Sequence, residues 1–224
     1  MHKTREYLAL IEACEQEGCL ICHTAKQSTL HYLDTWKYEL FTDIEVRNDL
    51  RKSQGFCHTH TWTLARMGAS LPLAQAYRDI ITDASEQIQA ENTPLAASAS
   101  SLLRRIFDTP PPRRERIPCP ACLQQQKAEL RFLDTLRKAF LYDEFHEHFI
   151  HSGGLCLEHF YQACTGNSGE GLVRLKQAQL LCLQHLEQQL SELIRKHDYR
   201  FKVEERGAEM VSWKRAAGLV AGEE

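Results

Sequence analysis

The chain has 224 residues, of which 43% are hydrophobic, so it is long enough to bury a core without disulfides. Its formal net charge of -3 at pH 7 is close to neutral for this length and does not favour nucleic acid or an anionic membrane as a partner. The sequence contains neither a run of eighteen apolar residues nor an apolar signal-peptide segment. These features predict a cytoplasmic protein, in which nine cysteines indicate metal or redox chemistry rather than disulfides.

The predicted elements begin with an amphipathic helix over residues 3–17, where apolar residues recur at steps of three and four. Gly18 ends this helix, and a Cys-x-x-Cys pair, Cys19 and Cys22, follows it. Apolar residues at helical spacing then continue towards Gly55. This part of the chain therefore predicts helices joined by short turns.

The span between Cys22 and Cys57 requires a break. One straight helix of about thirty residues would be roughly 45 Å long and would keep these two cysteines far apart. Thr42 followed by Glu45 forms a capping box, the pattern that starts a new helix. We therefore expect a helical hairpin that turns near Thr42 and returns Cys57 to the neighbourhood of Cys22.

Beyond His60 the sequence predicts a short helix, a turn, and a second helix with one apolar stripe over residues 73–88. Residues 92–118 contain a proline- and arginine-rich segment and predict an extended linker. We expect a first helical unit over residues 1–91 to end at this linker.

The second half repeats the first. Tyr32-Leu33-Asp34-Thr35 has its counterpart in Phe132-Leu133-Asp134-Thr135, and each starts ten residues after a Cys-x-x-Cys pair. No alternating run of β-branched residues predicts a strand. The expected fold class is all-α, with a second helical unit over residues 119–197 and a C-terminal tail over 198–224. The two pseudo-repeated units are expected to pack as one bundle-like domain.

Each half carries one Cys-x-x-Cys pair and one Cys-x-x-His pair, separated by 34 residues in the first half and 33 in the second. Three thiolates and one imidazole suit zinc, a borderline-soft ion that accepts tetrahedral sulfur and nitrogen donors. The sequence therefore predicts two zinc ions per chain in closed four-coordinate sites. The eight predicted ligands are Cys19, Cys22, Cys57, His60, Cys119, Cys122, Cys156 and His159.

Two ways of pairing these ligands are open. In the arrangement that we expect, each half binds its own ion. In a swapped arrangement, the Cys-x-x-Cys pair of each half shares an ion with the Cys-x-x-His pair of the other. His58 is a rival of His60, but its counterpart is Leu157, which has no ligand atom, so His60 is preferred.

Other chemistries fit these cysteines less well. Cys19-Leu20-Ile21-Cys22-His23 matches the haem attachment motif, but Cys122 is followed by Leu123, so the repeat argues against haem. A thioredoxin-like dithiol requires a βαβ context that the sequence lacks. An iron-sulfur cluster with three cysteines and one histidine remains an alternative to zinc.

A second candidate site lies on the predicted helix that starts near residue 143. Glu144, Glu147, His148 and His151 share one face of it, as the ligands of carboxylate-histidine metal sites in helical bundles do. The first half does not repeat this face, so a solvated polar stripe is the simpler interpretation. A metal-dependent enzyme that uses Glu144, His148 and His151 is kept as an alternative.

The duplicated Cys-x-x-Cys and Gly-x-Cys-x-x-His motifs, together with stretches 194–201 and 212–215, resemble an uncharacterised bacterial family known only as a domain of unknown function. Some of its members are labelled ABC transporter substrate-binding proteins, although this chain has neither the export signal nor the α/β pattern of such proteins. The resemblance implies that both quartets and the tail belong to one design. The polar and aromatic tail is expected to dock on the helices, with contact to a partner as the alternative.

Closed zinc sites leave no open coordination position, which disfavours catalysis at the metal. The sequence therefore predicts a metal-binding helical protein with structural zinc that acts as an interaction or adaptor module for a protein partner. The alternative is a redox- or metal-responsive protein, either a zinc thiolate switch or an iron-sulfur protein.

Overall fold

A computed structural model describes residues 4–92, 117–166, 168–201 and 203–222. Within these residues the chain is helical and has no strand, so the predicted all-α fold class is confirmed. The predicted linker over 92–118 lies, apart from its ends, outside the described residues. None of the described helices is both long enough and apolar enough to cross a membrane.

The described helices follow the same order in both halves of the chain. The first half has α1 (Arg5–Cys14), α2 (Leu20–Tyr38), a short 3-10 helix (Leu40–Thr42), α3 (Ile44–Lys52), α4 (His58–Arg66) and α5 (Ser70–Asn92). The second half has α6 (Pro120–Ala139), α7 (Asp143–Ser152), α8 (Leu157–Cys164), α9 (Glu170–Lys196), two 3-10 helices (Tyr199–Phe201 and Ala208–Val211) and α10 (Ser212–Ala221). Helices α2 to α5 thus correspond in order to α6 to α9.

The break predicted near Thr42 is present, but its cap is Asp43. The Asp43 carboxylate accepts hydrogen bonds from the backbone N–H groups of Glu45 (2.9 Å) and Val46 (3.0 Å) at the start of α3. The Thr42 hydroxyl lies in the preceding 3-10 turn and donates to the carbonyl of Glu39. The prediction of Thr42 as the cap is therefore wrong by one residue.

The chain forms two compact units, each with its own hydrophobic core. The first unit consists of Met1–Thr29 and Gln125–Glu224, and the second of Leu30–Gln124. In the first unit the rings of Phe140 and Phe149 pack edge to face, with centroids 4.9 Å apart. The core of the second unit is built around Trp36, which contacts the Phe56 ring at 5.0 Å.

The apolar stripe predicted on α5 is buried only at its start. Ala76 is buried in the core of the second unit, and Leu73 is packed against it. Ile81 and Ile88 lie further along the same stripe and are 64% and 59% exposed. The second half of α5 therefore presents an apolar surface that no described residue covers.

The tail docks on α9 in the first unit, as predicted. Lys196 donates to Glu209 Oε1 at 2.9 Å, and Arg195 forms an ion pair with Glu204. Helix α10 also contacts α8 and α9. The tail is thus part of the first unit and lies beside the helix that carries His159.

Candidate metal centres

The eight predicted ligands form two clusters. Within a cluster, the four sulfur and nitrogen atoms all lie within 4.8 Å of one another. Each cluster lies inside one compact unit, and each combines the Cys-x-x-Cys pair of one half with the Cys-x-x-His pair of the other. The first cluster is Cys19, Cys22, Cys156 and His159, and the second is Cys57, His60, Cys119 and Cys122.

The arrangement in which each half holds its own ion is therefore wrong, and the swapped arrangement is observed. Helix α2 has 19 residues and runs for about 28 Å, whereas α3 has nine residues and returns for only about 13 Å. The return helix is too short to bring Cys57 back to the start of α2. Cys57 instead meets the Cys-x-x-Cys pair at the start of α6.

The distances between ligand atoms match a tetrahedral zinc site. Zn–S bonds of about 2.3 Å and Zn–N bonds of about 2.0 Å imply edges of about 3.8 Å between sulfurs and about 3.5 Å between sulfur and nitrogen. In the first cluster, Cys22 Sγ and Cys156 Sγ are 3.8 Å apart, and His159 Nδ1 lies 3.2 to 3.5 Å from all three sulfurs.

The second cluster has the same shape. His60 Nδ1 lies 3.2 to 3.5 Å from its three sulfurs, and Cys122 Sγ is 3.7 Å from Cys57 Sγ. One edge, between Cys119 and Cys122, is shorter at 3.2 Å. None of these cysteines forms a disulfide, so all six thiols are available to a metal ion.

Four ligand cysteines stand at helix starts. The backbone carbonyls of Cys19, Cys57, Cys119 and Cys156 each accept the N–H of the residue four positions later, which is the first bond of a helix. The N-terminal end of a helix carries a partial positive charge, which stabilises a nearby thiolate relative to a thiol. Each cluster lies at two such helix starts, so the helices themselves favour the ligand form of the cysteines.

The turn before each Cys-x-x-His pair requires glycine. Gly55 has φ +96 and Gly154 has φ +88, in the left-handed region that other residues avoid. A Cβ on Gly154 would also lie 2.8 Å from Gln179 Oε1. The glycine therefore permits both the turn and a close approach by Gln179.

Gln179 is a buried residue of α9 that holds this turn in the first unit. Its Oε1 accepts the N–H of Leu155 at 2.9 Å, and its Nε2 donates to the carbonyl of Leu155 at 2.9 Å. Leu155 directly precedes the ligand Cys156. Gln179 is 1% exposed, so this pair of hydrogen bonds forms away from solvent and fixes the backbone from which Cys156 extends.

Tyr77 has the same role in the second unit. Its hydroxyl lies 2.6 Å from Thr61 Oγ1. The Thr61 hydroxyl in turn donates to the carbonyl of Phe56, the residue before the ligand Cys57, at 3.1 Å. Burial raises the pKa of Tyr77, so this hydroxyl stays protonated at neutral pH.

Neither of these supporting residues was predicted from the sequence. Gln179 was detectable in principle, because it interrupts the apolar stripe of α9 between Leu175 and Cys182 with a polar side chain. Tyr77 gave no such signal, because a tyrosine is an ordinary residue in an apolar stripe. The partner of each side chain lies far away in sequence, which no local pattern reveals.

The protonation of the first cluster reflects the crowding of its side chains. Hydrogen bonds with Cys156 and Cys22 raise the pKa of Cys19 well above its ordinary value, while those from Cys19 and Cys22 push that of Cys156 far down. Burial acts to lower the pKa of His159, but hydrogen bonds to the sulfurs of Cys156 and Cys22 outweigh it and raise this pKa to about 10. The ligand atoms of Cys19, Cys156 and His159 thus strongly affect one another's protonation, as expected of groups that can bind one divalent cation.

In the second cluster the two cysteines of the Cys-x-x-Cys pair differ. Burial acts to raise the pKa of Cys119, but hydrogen bonds from the backbone at Cys57 and Cys122 outweigh it. The pKa of Cys119 is therefore below its ordinary value. Burial and the neighbouring Cys119 raise the pKa of Cys122. The pKa values of two neighbouring cysteines are thus driven in opposite directions, as in the first cluster.

The other candidate ligands are not gathered into a site. His58 is exposed, whereas His60 is buried with its Nδ1 beside the three sulfurs of the second cluster. Among the described residues, Glu144, His148 and His151 do not form a group of potential metal ligands. The alternative of a metal-dependent enzyme that uses this face stays a prediction.

The remaining cysteines lie outside both clusters. Cys14 and Cys182 are buried, and burial raises their pKa values to about 12 and about 11. Both thiols are therefore protonated and unreactive at neutral pH. Cys164 is half-buried at the end of α8.

Comparison with known proteins gives one match. The model of a family of unknown function, DUF6062, matches residues 2–93, which is less than half of the chain. The matched segment contains Cys19, Cys22, Cys57 and His60, and so it includes half of each cluster. The comparisons with curated proteins and with solved structures found no match. The first half of this chain is thus similar to a family whose function is not known.

Proposed function

We propose that this chain is a zinc-binding helical protein in which two structural Cys3His sites hold a scaffold for protein interactions. The observation that carries the proposal is the repeated geometry of the clusters. In both, three sulfurs surround a histidine Nδ1 at the distances of a zinc tetrahedron. Four protein ligands fill the coordination of zinc, which favours a structural ion over a catalytic one.

The position of the ligands along the chain supports a structural role. Cys19 and His159 are 140 residues apart in sequence, and Cys119 and His60 are 59 apart. Cross-links that close long loops remove more conformational entropy from the unfolded chain than those that close short ones. Zinc at these places would stabilise the fold by joining segments that local structure does not hold together.

Surface composition supports the interaction role. Trp62 on α4 and Tyr161 on α8 occupy equivalent positions, five residues after a ligand cysteine, and are 54% and 62% exposed. Exposed aromatic side chains are enriched in protein interfaces, where they supply contact area at low entropic cost. A reducing compartment such as the cytoplasm would keep all nine cysteines available as free thiols.

Metal analysis of the purified chain tests the zinc sites. We expect two zinc ions per chain and no visible absorption band. Cys19→Ser and Cys119→Ser should each lower the content to about one ion, because each change removes a ligand from a different cluster. Cys164→Ser is the matched control, since this cysteine is outside both clusters. Iron with a charge-transfer band in anaerobically purified protein would refute the zinc proposal and favour an iron-sulfur cluster.

The choice of histidine has its own matched pair of variants. His60→Ala should reduce zinc content to about one ion, because it removes the nitrogen ligand of the second cluster. His58→Ala changes an exposed neighbour two residues away and should leave two ions. Equal loss of zinc in both variants would contradict the assignment.

One observation favours a second function, a zinc thiolate switch. Cys22, Cys57 and Cys122 are only half-buried, and Cys122 Sγ is 3.2 Å from Cys119 Sγ. Hydrogen peroxide would take two electrons from the thiolates of Cys119 and Cys122 and two protons from solvent. The products are one disulfide, two waters and a released zinc ion. Release of one ion per disulfide, measured with a zinc indicator and reversed by dithiothreitol, would support the switch. Retention of both ions under peroxide would refute it.

A further inference from the structure

Among the residues that the structure describes, the second unit has an open cavity beside its metal cluster. The cavity has a volume of about 330 Å³, and two ligands of the second cluster, Cys57 and Cys119, line it. The turn at Gly55 and the side chains of Trp62 and Ile117 line it as well, and the last two are more than half exposed. This volume is in the range of sites that bind small molecules or the side chains of a docked peptide.

The first unit has an equivalent place, and there it is filled. A residual cavity of only about 20 Å³ is lined by Gly154, Cys156 and Cys19, which are the counterparts of Gly55, Cys57 and Cys119 in the repeat. Arg215 and Leu219 of α10 line what is left of it. Helix α10 therefore occupies in the first unit the place that is open in the second.

Arg215 is held in position beside the first cluster. Its Nη1 donates to Gln189 Oε1 of α9 at 2.7 Å, and a Cβ on Gly153 would lie 3.5 Å from its Nη2. Three thiolates and one divalent zinc ion leave one net negative charge on a cluster of this kind. The guanidinium group of Arg215 beside such a cluster carries the complementary positive charge. Leu219 lies one helical turn after Arg215 and so faces the same way.

Helix α5 of the second unit offers the same support as α9. Tyr77 and Gln179 are equivalent, because each supports the backbone of the residue before a ligand cysteine, Gln179 directly and Tyr77 through Thr61. Gln87 lies ten residues after Tyr77 on α5, and Gln189 lies ten residues after Gln179 on α9. Gln87 is therefore the counterpart of Gln189. Gln87 is exposed and is in the register to accept a hydrogen bond from a guanidinium group.

The surface around Gln87 is more exposed than its counterpart on α9. Leu186, which lies under the tail in the first unit, is 5% exposed, whereas the equivalent Ala84 is exposed. Leu190 is half-buried, and the equivalent Ile88 is 59% exposed. The part of α5 that the structure describes thus carries an apolar surface matching the one to which the tail binds on α9.

We propose that the cavity of the second unit binds a helix of a partner protein that presents an arginine and a leucine four residues apart, as α10 does in the first unit. The inference rests on the proposed zinc function, because the charge that attracts the arginine is that of the loaded cluster. The arginine lies beside Cys57 and Cys119, the leucine fills the cavity, and the helix covers the exposed apolar residues of α5.

The probe for this site is a labelled synthetic peptide with the sequence of residues 207–222 of this chain, which includes α10. Zinc content is measured first, and the peptide is then titrated with the zinc-loaded full chain by fluorescence anisotropy. We expect saturable binding. A peptide with Arg215→Glu and Leu219→Asp should bind at least about tenfold more weakly, because both anchor side chains are lost.

Variants of the protein locate the binding site. Trp62→Ala and Ile117→Asp change exposed residues of the cavity and should each weaken peptide binding by about tenfold, with zinc content unchanged. Tyr161→Ala is the matched control, because it removes an equally exposed aromatic residue at the equivalent position of the first unit. It should bind the peptide as the unchanged chain does.

Two results would overturn the inference. Absence of saturable binding to a chain that carries two zinc ions would refute the docking site and leave the zinc proposal intact. Peptide binding would also be absent if another part of this chain filled the cavity, and docking of a partner would then be refuted as well. Equal weakening by Trp62→Ala and Tyr161→Ala would place the peptide elsewhere. A chain without zinc would instead refute the proposed function, and the metal analysis shows this before any peptide is added.

Discussion

Gln179 pairs its side-chain amide with both backbone polar groups of Leu155, one residue before the ligand Cys156. The contact joins the middle of α9 to the turn that positions half of the first metal cluster. All its polar atoms are buried, so each hydrogen bond is costly to lose. The position of one glutamine therefore links the packing of α9 to the geometry of a metal site.

Replacing Gln179 should weaken the first site specifically. Gln179→Ala leaves the N–H and carbonyl of Leu155 buried without partners, at a cost of about 1–3 kcal/mol in the free energy of unfolding. Loss of such support around a metal ligand typically lowers affinity about tenfold or more. Urea unfolding and competition with a chelator measure the two effects. Gln188→Ala, an exposed change on the same helix, is the control, and a similar loss in both variants would contradict the role of Gln179.

Replacing Tyr77 should weaken the second site in the same way. Tyr77→Phe keeps the ring but removes the hydroxyl that contacts Thr61, and with it the link to Phe56, at a cost of about 1 kcal/mol. The zinc affinity of the second cluster should fall while that of the first is unchanged. Tyr38→Phe is the control, since Tyr38 is 67% exposed. Metal titrations in backgrounds that carry only one intact cluster separate the two sites, and a loss at the first cluster would count against this assignment.

Removing zinc should unfold part of the helical structure. Formation of each cluster joins distant segments, so the free energy of metal binding contributes directly to folding. After chelation we expect loss of helical circular dichroism and a lower melting temperature, both restored by added zinc. Metal-free protein with the same spectrum and melting temperature as the loaded form would show that the ions are not structural.

Acid should loosen the tail through Glu209. Hydrogen bonds from the Gly207 N–H and the Lys196 ammonium lower the pKa of Glu209 from 4.5 to about 2. Since the folded-state pKa is depressed, the stabilisation is fully present above pH 4.5 and is lost as the pH falls towards about 2. Hydrogen exchange of the α10 amides should therefore increase through this window.

The variant Glu209→Gln isolates this contribution from the loss of metal in acid. It has no carboxylate at this position, so its α10 should be less protected already at neutral pH. The difference in exchange between the variant and the unchanged chain should then shrink as the pH falls from 4.5 to about 2. A difference that stays constant over this range would show that the Glu209 charge does not hold the tail.

Much of the fold followed from local sequence patterns. Apolar periodicity predicted helices throughout, and the described residues contain no strand. The break near Thr42 was predicted within one residue, since capping is a local interaction between a side chain and the next turn. The exposure of Ile81 and Ile88 was not predictable, because periodicity shows that a helix has an apolar face but not what covers it.

The sequence by itself determined the eight candidate ligands and their grouping into pairs. A Cys-x-x-Cys or Cys-x-x-His pair spans one helical turn at a helix start, so its geometry depends only on neighbouring residues. Only the tertiary structure decided which pairs meet. Either pairing gives each ion three sulfur donors and one nitrogen donor. The outcome depends on the lengths of α2 and α3, because the shorter α3 does not return Cys57 to the start of α2. Cys57 instead meets Cys119 and Cys122.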